Sequence, residues 1–269
     1  MIFVDFPIHR CTLLGCNPRP ACIKKLSRVD HIQQALESSK LNKIINTYLF
    51  LGAIQFFYGC YYDYNYVIIP STSTSVTPYG GKFKYLTYLD MIQTAYFTLA
   101  LINDLFGTNK PSPSHKPLVR RIKDTVFSSL AFPLAVFVSV TFWGIYAVDR
   151  ELILPRSIDP YFPTWLNHVM HTNIFMFIFI ELFSSFRMYP SKKVGLSILT
   201  SFMLCYLVWI HIIYFKTGSW VYPVLNVLNW PVRVFFYVFC LGLTYFAYNV
   251  GEKVNKIVWA NEVENSKLG

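Results

Sequence analysis

The chain has 269 residues, of which 54% are hydrophobic, 18% aromatic and only 14% charged, with a mean hydropathy of +0.38. Soluble domains carry about a quarter of their residues as charges and disordered chains are poor in aromatics, so both classes are excluded and a membrane bundle is expected. The formal net charge of +10 fits nucleic acid, anionic lipid or membrane topology, depending on where the cations sit.

Residues 1–43 differ from the rest. They hold Cys11, Cys16 and Cys22, with Pro18 and Pro20, and a basic set of Lys24, Lys25 and Arg28. No apolar segment near Met1 marks a secretory signal. This region is expected to be a cytoplasmic tail, its cysteines reduced thiols, lipid-attachment sites or weak metal ligands.

A helix needs roughly 20 mostly apolar residues to cross hydrocarbon. Stretches without Asp, Glu, Lys or Arg run over Ile44 to Tyr62, Thr125 to Val148, Pro160 to Ile180 (continuing past Glu181 to Phe186), Val194 to Phe215 and Val234 to Gly251. Tyr85 to Asn103 is a further span, broken only by Asp90. Thr217 to Val232 is uncharged but broken by Pro223 and Pro231, and it holds Trp220, Tyr222 and Trp230, the composition of an interfacial or re-entrant segment. Spanning segments in a polytopic chain are helices, because an open sheet leaves backbone groups unsatisfied in lipid. The expected fold is therefore all-α, a polytopic bundle of about six transmembrane helices over 44–251, followed by a cytoplasmic tail over 252–269.

Orientation follows the lysines and arginines of the short connections. With the N-terminus inside, the inner segments hold 18 Lys and Arg against 6 in the outer ones. Both termini are then cytoplasmic, and the positive charge is mostly a topology signal. No nucleic-acid motif accompanies it, so nucleic acid is not an expected partner.

Ionisable and polar groups within spans are costly and usually face the interior. The candidates are Thr87, Asp90, Asn167, His168, His171, Glu181 and His211. At about 1.5 Å rise per residue, Thr87, Asp90, His168, His171 and His211 fall at one level near the outer face, whereas Glu181 lies about 15 Å deeper than His171. His168 and His171 are three apart, hence on one helical face. Such a pair is first an interhelical hydrogen-bonding feature, and then a catalytic base or metal ligands. A threonine in a membrane helix ordinarily bonds its own i−4 carbonyl.

Several runs resemble a known family. They are Lys84-Tyr85-Leu86-Thr87, Leu130-Ala131-Phe132-Pro133, Arg150-Glu151-Leu152 with Pro155, and Trp165-Leu166-Asn167-His168-Val169-Met170-His171-Thr172. Further on come Tyr189-Pro190-Ser191, Thr217-Gly218-Ser219-Trp220-Val221-Tyr222-Pro223 and Gly251-Glu252. In this order, over about residues 45–260, the chain resembles the family of the androgen-induced gene 1 protein and the androgen-dependent tissue-factor-pathway-inhibitor-regulating protein. The resemblance implies a multi-pass hydrolase of fatty acid esters of hydroxy fatty acids, with a threonine nucleophile at Thr87, a histidine at His171 and no cofactor. It places the protein in the endoplasmic reticulum or plasma membrane, with membrane lipids and such esters as partners. Asp90, Asn167 and His168 are possible supporting residues. Two alternatives are a zinc-dependent membrane lipid hydrolase, using His168, His171 and His211 or Asp149, and a non-enzymatic scaffold or receptor.

Overall fold

Every regular element among the described residues is a helix. The computed structural model describes residues 20–67, 87–109, 117–260 and 264, with side chains described over 40–67, 90–109, 117–260 and 264. The side chains of Cys11, Cys16, Cys22 and Thr87 lie outside that set. By packing, the chain divides into residues 1–45 and 46–269, and the second unit carries the site.

The helices are α1 (Pro20–Tyr66, of which 46–66 belong to the second unit), α2 (Thr87–Phe106), α3 (Leu118–Val148), α4 (Thr164–Ser184), α5 (Lys192–Thr217), the short α6 (Val224–Val227) and α7 (Trp230–Val258). Among the described residues α3, α4, α5 and α7 are long and apolar enough to cross a membrane. The chain is thus a helical integral membrane protein. In α1, Leu49, Gly52, Phe56, Gly59, Asp63 and Val67 are buried, a stripe with the three-and-four spacing of one helical face. On α2 the buried face includes Asp90, Gln93, Tyr96, Phe97, Ala100 and Asn103. Asp63, Asp90, Gln93 and Asn103 are the buried polar residues on these two faces.

An aromatic joint ties α1, α2 and α4 together. Phe97 packs at 5.6 Å from Phe56 and 5.9 Å from Phe177, and Tyr48 stacks on Phe177 at 5.1 Å. Such pairs add to their area burial when rings meet edge-to-face or offset.

Two helices contain a widened π turn, with one extra residue per turn. In α3 it spans Phe127–Ala131 and precedes Pro133, which has no N–H to continue the ladder. Gln93 on α2 donates from Nε2 to the Ala131 carbonyl at 2.9 Å, so a neighbouring helix supplies a bond to the disturbed turn. In α4 the π turn spans Val169–Asn173. Asn173 just inside its end donates from Nδ2 to Gln55 of α1 at 2.9 Å.

Three cations that contribute to the inside charge count, two of them in the first turns of α3, are buried. Arg120, Lys123 and Arg187 are each no more than 1% exposed. Arg120 pairs with Asp124 at 2.6 Å and donates to the Phe186 carbonyl at 2.7 Å, while Lys123 donates to Asn109 at 2.6 Å. Arg187 pairs with Glu181 and bonds the Tyr96 hydroxyl at 3.1 Å. Its guanidinium also lies 4.1 Å over the Phe127 ring. Glu181, set apart from the histidines by depth, therefore has a structural partner.

Gly218 ends α5 in the left-handed region, with φ 72°, and its N–H bonds the Tyr214 carbonyl at 2.8 Å. The chain then folds back rather than lying flat. Trp220, Val221, Val224 and Leu225 are buried against Ile210 and Ile213 of α5. Arg233 holds the turn by donating to the Leu225 carbonyl at 2.7 Å.

Candidate functional site

A cavity of about 90 Å³ lies inside the bundle, walled by Asp90 of α2, Thr141 and Phe142 of α3, His171 of α4, Tyr206 of α5 and Tyr222 of the returning segment. Seven separate stretches of sequence meet there in all, Ile153 of the loop after α3 and Cys240 of α7 included. Among them are residues that composition alone would assign to packing.

His171 sits in the π turn of α4. Its Nδ1 lies 3.0 Å from the Asn167 carbonyl one turn earlier. A carbonyl only accepts, so this contact places the proton on Nδ1 and leaves the lone pair on Nε2. Nε2 has no hydrogen bond among the described residues. The ring stacks on Phe142 with centroids 3.7 Å apart, and Ser139 donates to the His171 carbonyl. Ring, backbone and tautomer are thus each held by a different neighbour. The result is an oriented imidazole, its Nδ1–H engaged, on a largely apolar cavity wall.

Asp90 is 2% exposed, and neither carboxylate oxygen has a hydrogen-bond partner among the described residues. A buried polar group without a partner is costly and calls for an explanation. Thr141 presents a second unpartnered atom, Oγ1. By contrast, the Tyr206 and Tyr222 hydroxyls bond each other. Thr87 is the first residue of α2, one turn before Asp90.

Asn167 contributes through its main-chain carbonyl. Its own side chain is buried, with Oδ1 unpartnered. His168 does not reach the cavity: it is exposed, its Nδ1 pairs with Thr172 Oγ1 at 3.1 Å, and it stacks 5.7 Å from Trp143. Both rings of the pair stack on adjacent residues of α3, His171 on Phe142 and His168 on Trp143, and of the two only His171 lines the cavity. His211 is elsewhere, bonded through Nδ1 to the Leu207 carbonyl at 2.8 Å and packed 5.1 Å from Trp220. Asp149 accepts from the Glu151 N–H at 2.9 Å. Outside the spans, Asp159 raises the Arg150 guanidinium above its ordinary range through a hydrogen bond. Among the described residues no three His, Cys, Asp or Glu side chains are grouped to hold a metal ion. The alternative zinc ligands are therefore not brought together.

Sequence reasoning did not find Thr141, Tyr206 or Tyr222 as wall residues. Tyr222 lies in the Thr217-to-Pro223 run, which was the one available signal. Tyr206 and Thr141 carry none, since aromatics and hydroxyls are ordinary in spans.

A profile described as FAR-17a/AIG1-like protein matches residues 44–256. The chain is 36% identical over 204 residues to androgen-induced gene 1 protein of Homo sapiens, covering 73% of this chain and 84% of that one. It is 38% identical over 186 residues to androgen-dependent TFPI-regulating protein of Mesocricetus auratus, covering 69% and 80%. A UPF0641 membrane protein of Schizosaccharomyces pombe is 28% identical over 185 residues, covering 66% and 76%. No solved structure matches the chain.

Proposed function

The chain belongs to the FAR-17a/AIG1-like family, and on that footing we propose that it is an intramembrane hydrolase of fatty acid esters of hydroxy fatty acids, with Thr87 as nucleophile and His171 as base. The observation that carries this reading is the His171 ring. Its tautomer is set by the Asn167 carbonyl, and it lines a cavity shared with Asp90, one helical turn after Thr87.

A threonine hydroxyl is a weak nucleophile and needs an adjacent base. In the proposed reaction His171 Nε2 takes the Thr87 hydroxyl proton as the oxygen attacks the ester carbonyl. The resulting imidazolium returns that proton to the leaving alkoxide, releasing the hydroxy fatty acid and leaving acyl-Thr87. Water then attacks the acyl-threonine. His171 takes its proton and returns it to the Thr87 oxygen as the fatty acid departs. Asp90 acts from α2 on the charge that develops at the site. Asn167 holds the imidazole through its carbonyl, and His168, facing outward, plays no direct part. An ester of this kind is mostly hydrocarbon, polar only at its ester bond and its one free carboxyl end, which suits a site inside a bilayer.

The same proposal takes α1 and α2 as two further spans, giving six. The 18 inner against 6 outer Lys and Arg then place both termini and the tails 1–43 and 252–269 in the cytoplasm. The membrane is that of the endoplasmic reticulum or the cell surface.

Labelling of the purified chain with a fluorophosphonate probe tests the reading. Wild type is expected to be labelled, Thr87→Ala and His171→Ala to lose label, and a chelator to change nothing. Thr87→Ala protein that hydrolyses the ester at the wild-type rate sinks the threonine mechanism, and loss of activity with chelator favours the zinc alternative. Absence of labelling and hydrolysis in folded wild type favours a scaffold.

A further inference from the structure

A second cavity, of about 210 Å³, lies between α5 and α7. Met203, Leu207 and Ile210 of α5 face Leu241 of α7 across it. It shares Phe137, Tyr206, Tyr222, Phe236 and Cys240 with the His171 cavity, so the two adjoin along common walls. On its outer rim, Leu204 is 52% and Val238 63% exposed. Both belong to membrane-crossing helices, so what those side chains face is hydrocarbon. A smaller cavity of about 40 Å³ shares Phe142, Ile153, Met170, His171 and Tyr222 with the first and is also lined by loop residues such as Leu154 and Ile158.

The lining decides what can fill the α5–α7 cavity. Tyr206 and Tyr222 satisfy each other, and Cys240 is only weakly polar. The Tyr237 hydroxyl is the one unpartnered oxygen on the wall among the described residues. A buried water needs two to four polar partners, and an apolar cavity of about 150 Å³ stays dry and takes up a benzene-sized hydrocarbon. This cavity is larger and opens toward lipid.

We infer that the cavity between α5 and α7 is an acyl-chain site, loaded sideways from the bilayer through the gap at Leu204 and Val238, and that Leu207 and Leu241 set the chain it accepts. The Tyr206–Tyr222 pair stands where this apolar site gives way to the cavity of Asp90 and His171. A chain seated between α5 and α7 directs its head group toward His171. The inference rests on the hydrolase reading for its purpose, but binding is measurable without catalysis.

The test uses the full chain in phosphatidylcholine vesicles with a diazirine-bearing long-chain fatty acid, mapped by mass spectrometry after illumination. Label is expected on α5 and α7 at the cavity walls. Leu207→Trp fills the cavity and is expected to reduce labelling about tenfold, the equivalent in affinity of two buried methylenes. Phe246→Trp, on an exposed part of α7 outside the cavity walls, leaves labelling unchanged. Leu207→Ala enlarges the cavity and shifts the best-labelled probe to a longer or bulkier chain, which covers the case in which the tryptophan variant fails to fold. Label that falls outside the walls of this cavity, or a folded Leu207→Ala protein with unaltered chain preference, overturns the inference. Hydrolysis by wild type with label elsewhere leaves the hydrolase reading standing and removes only the acyl site. Wall labelling in a chain without ester hydrolysis does the reverse.

Discussion

Asn255 holds both main-chain polar groups of Arg187. Its Oδ1 accepts from the Arg187 N–H at 3.0 Å, and its Nδ2 donates to the Arg187 carbonyl at 2.9 Å. All these atoms are buried, so the amide of α7 does for the 185–191 connection what a paired strand would do. Asn255→Leu leaves a donor and an acceptor unsatisfied together. A loss of about 2–4 kcal/mol is expected, measured as a lowered Tm of purified protein.

Arg187 sets up a second expectation. Its guanidinium is fully buried against Glu181, Tyr96 and the Phe127 ring. Removing one partner of a buried pair strands the other charge, so Glu181→Ala is expected to cost about 3–5 kcal/mol. The double variant Glu181→Leu with Arg187→Met removes both charges and is expected to recover much of that loss. A double-mutant cycle on thermal stability checks the non-additivity.

Gly251 faces Tyr189 and Phe132 so closely that a Cβ would lie 2.7 Å from the Tyr189 hydroxyl and 2.8 Å from Phe132 Cδ1. Both neighbours belong to runs that carry the family resemblance, which gives those runs a packing explanation. Gly251→Ala is expected to destabilise by about 1–3 kcal/mol through overpacking. Gly144, with nothing within 4 Å of its added Cβ, is the control. Gly144→Ala is expected to be neutral or to stabilise by roughly 0.5–1 kcal/mol, the helical preference of alanine. Comparing the two Tm values separates close approach from helix propensity.

Asp90 separates stability from activity. Its carboxylate is buried without a partner, an arrangement that costs free energy. Asp90→Asn keeps the shape and removes the ionisable group, so Tm is expected to hold or rise. If Asp90 acts on developing charge in the proposed reaction, kcat falls about a hundredfold with KM little changed. An unaltered kcat would return Asp90 to a purely structural role.

The two histidines show where sequence reading stops. Spacing of three puts His168 and His171 on one face of an α-helix, and nothing in the order of residues announces the π turn at Val169–Asn173. In the fold both rings stack on α3, yet His168 is exposed and only His171 lines the cavity wall. Arg120, Lys123 and Arg187 make the same point for charge. Counted along the chain they mark one side of the membrane, yet in the fold all three are buried with partners. Asp90 and His171 were placed at one level by counting residues along their spans, and the structure does bring them to one cavity.

Composition alone determined the solvent of this protein. With 14% charged residues and long uncharged runs, only helices that satisfy their own backbones in lipid were open to it. The order of residues also carried the family and named His171. Tertiary structure decided which polar groups meet, because helical periodicity assigns faces only while the turn stays regular and says nothing about which faces adjoin. Tyr206, Tyr222 and Thr141 reach the wall beside His171 through the packing of α3, α5 and the segment returning from Gly218, contacts with no trace in local sequence.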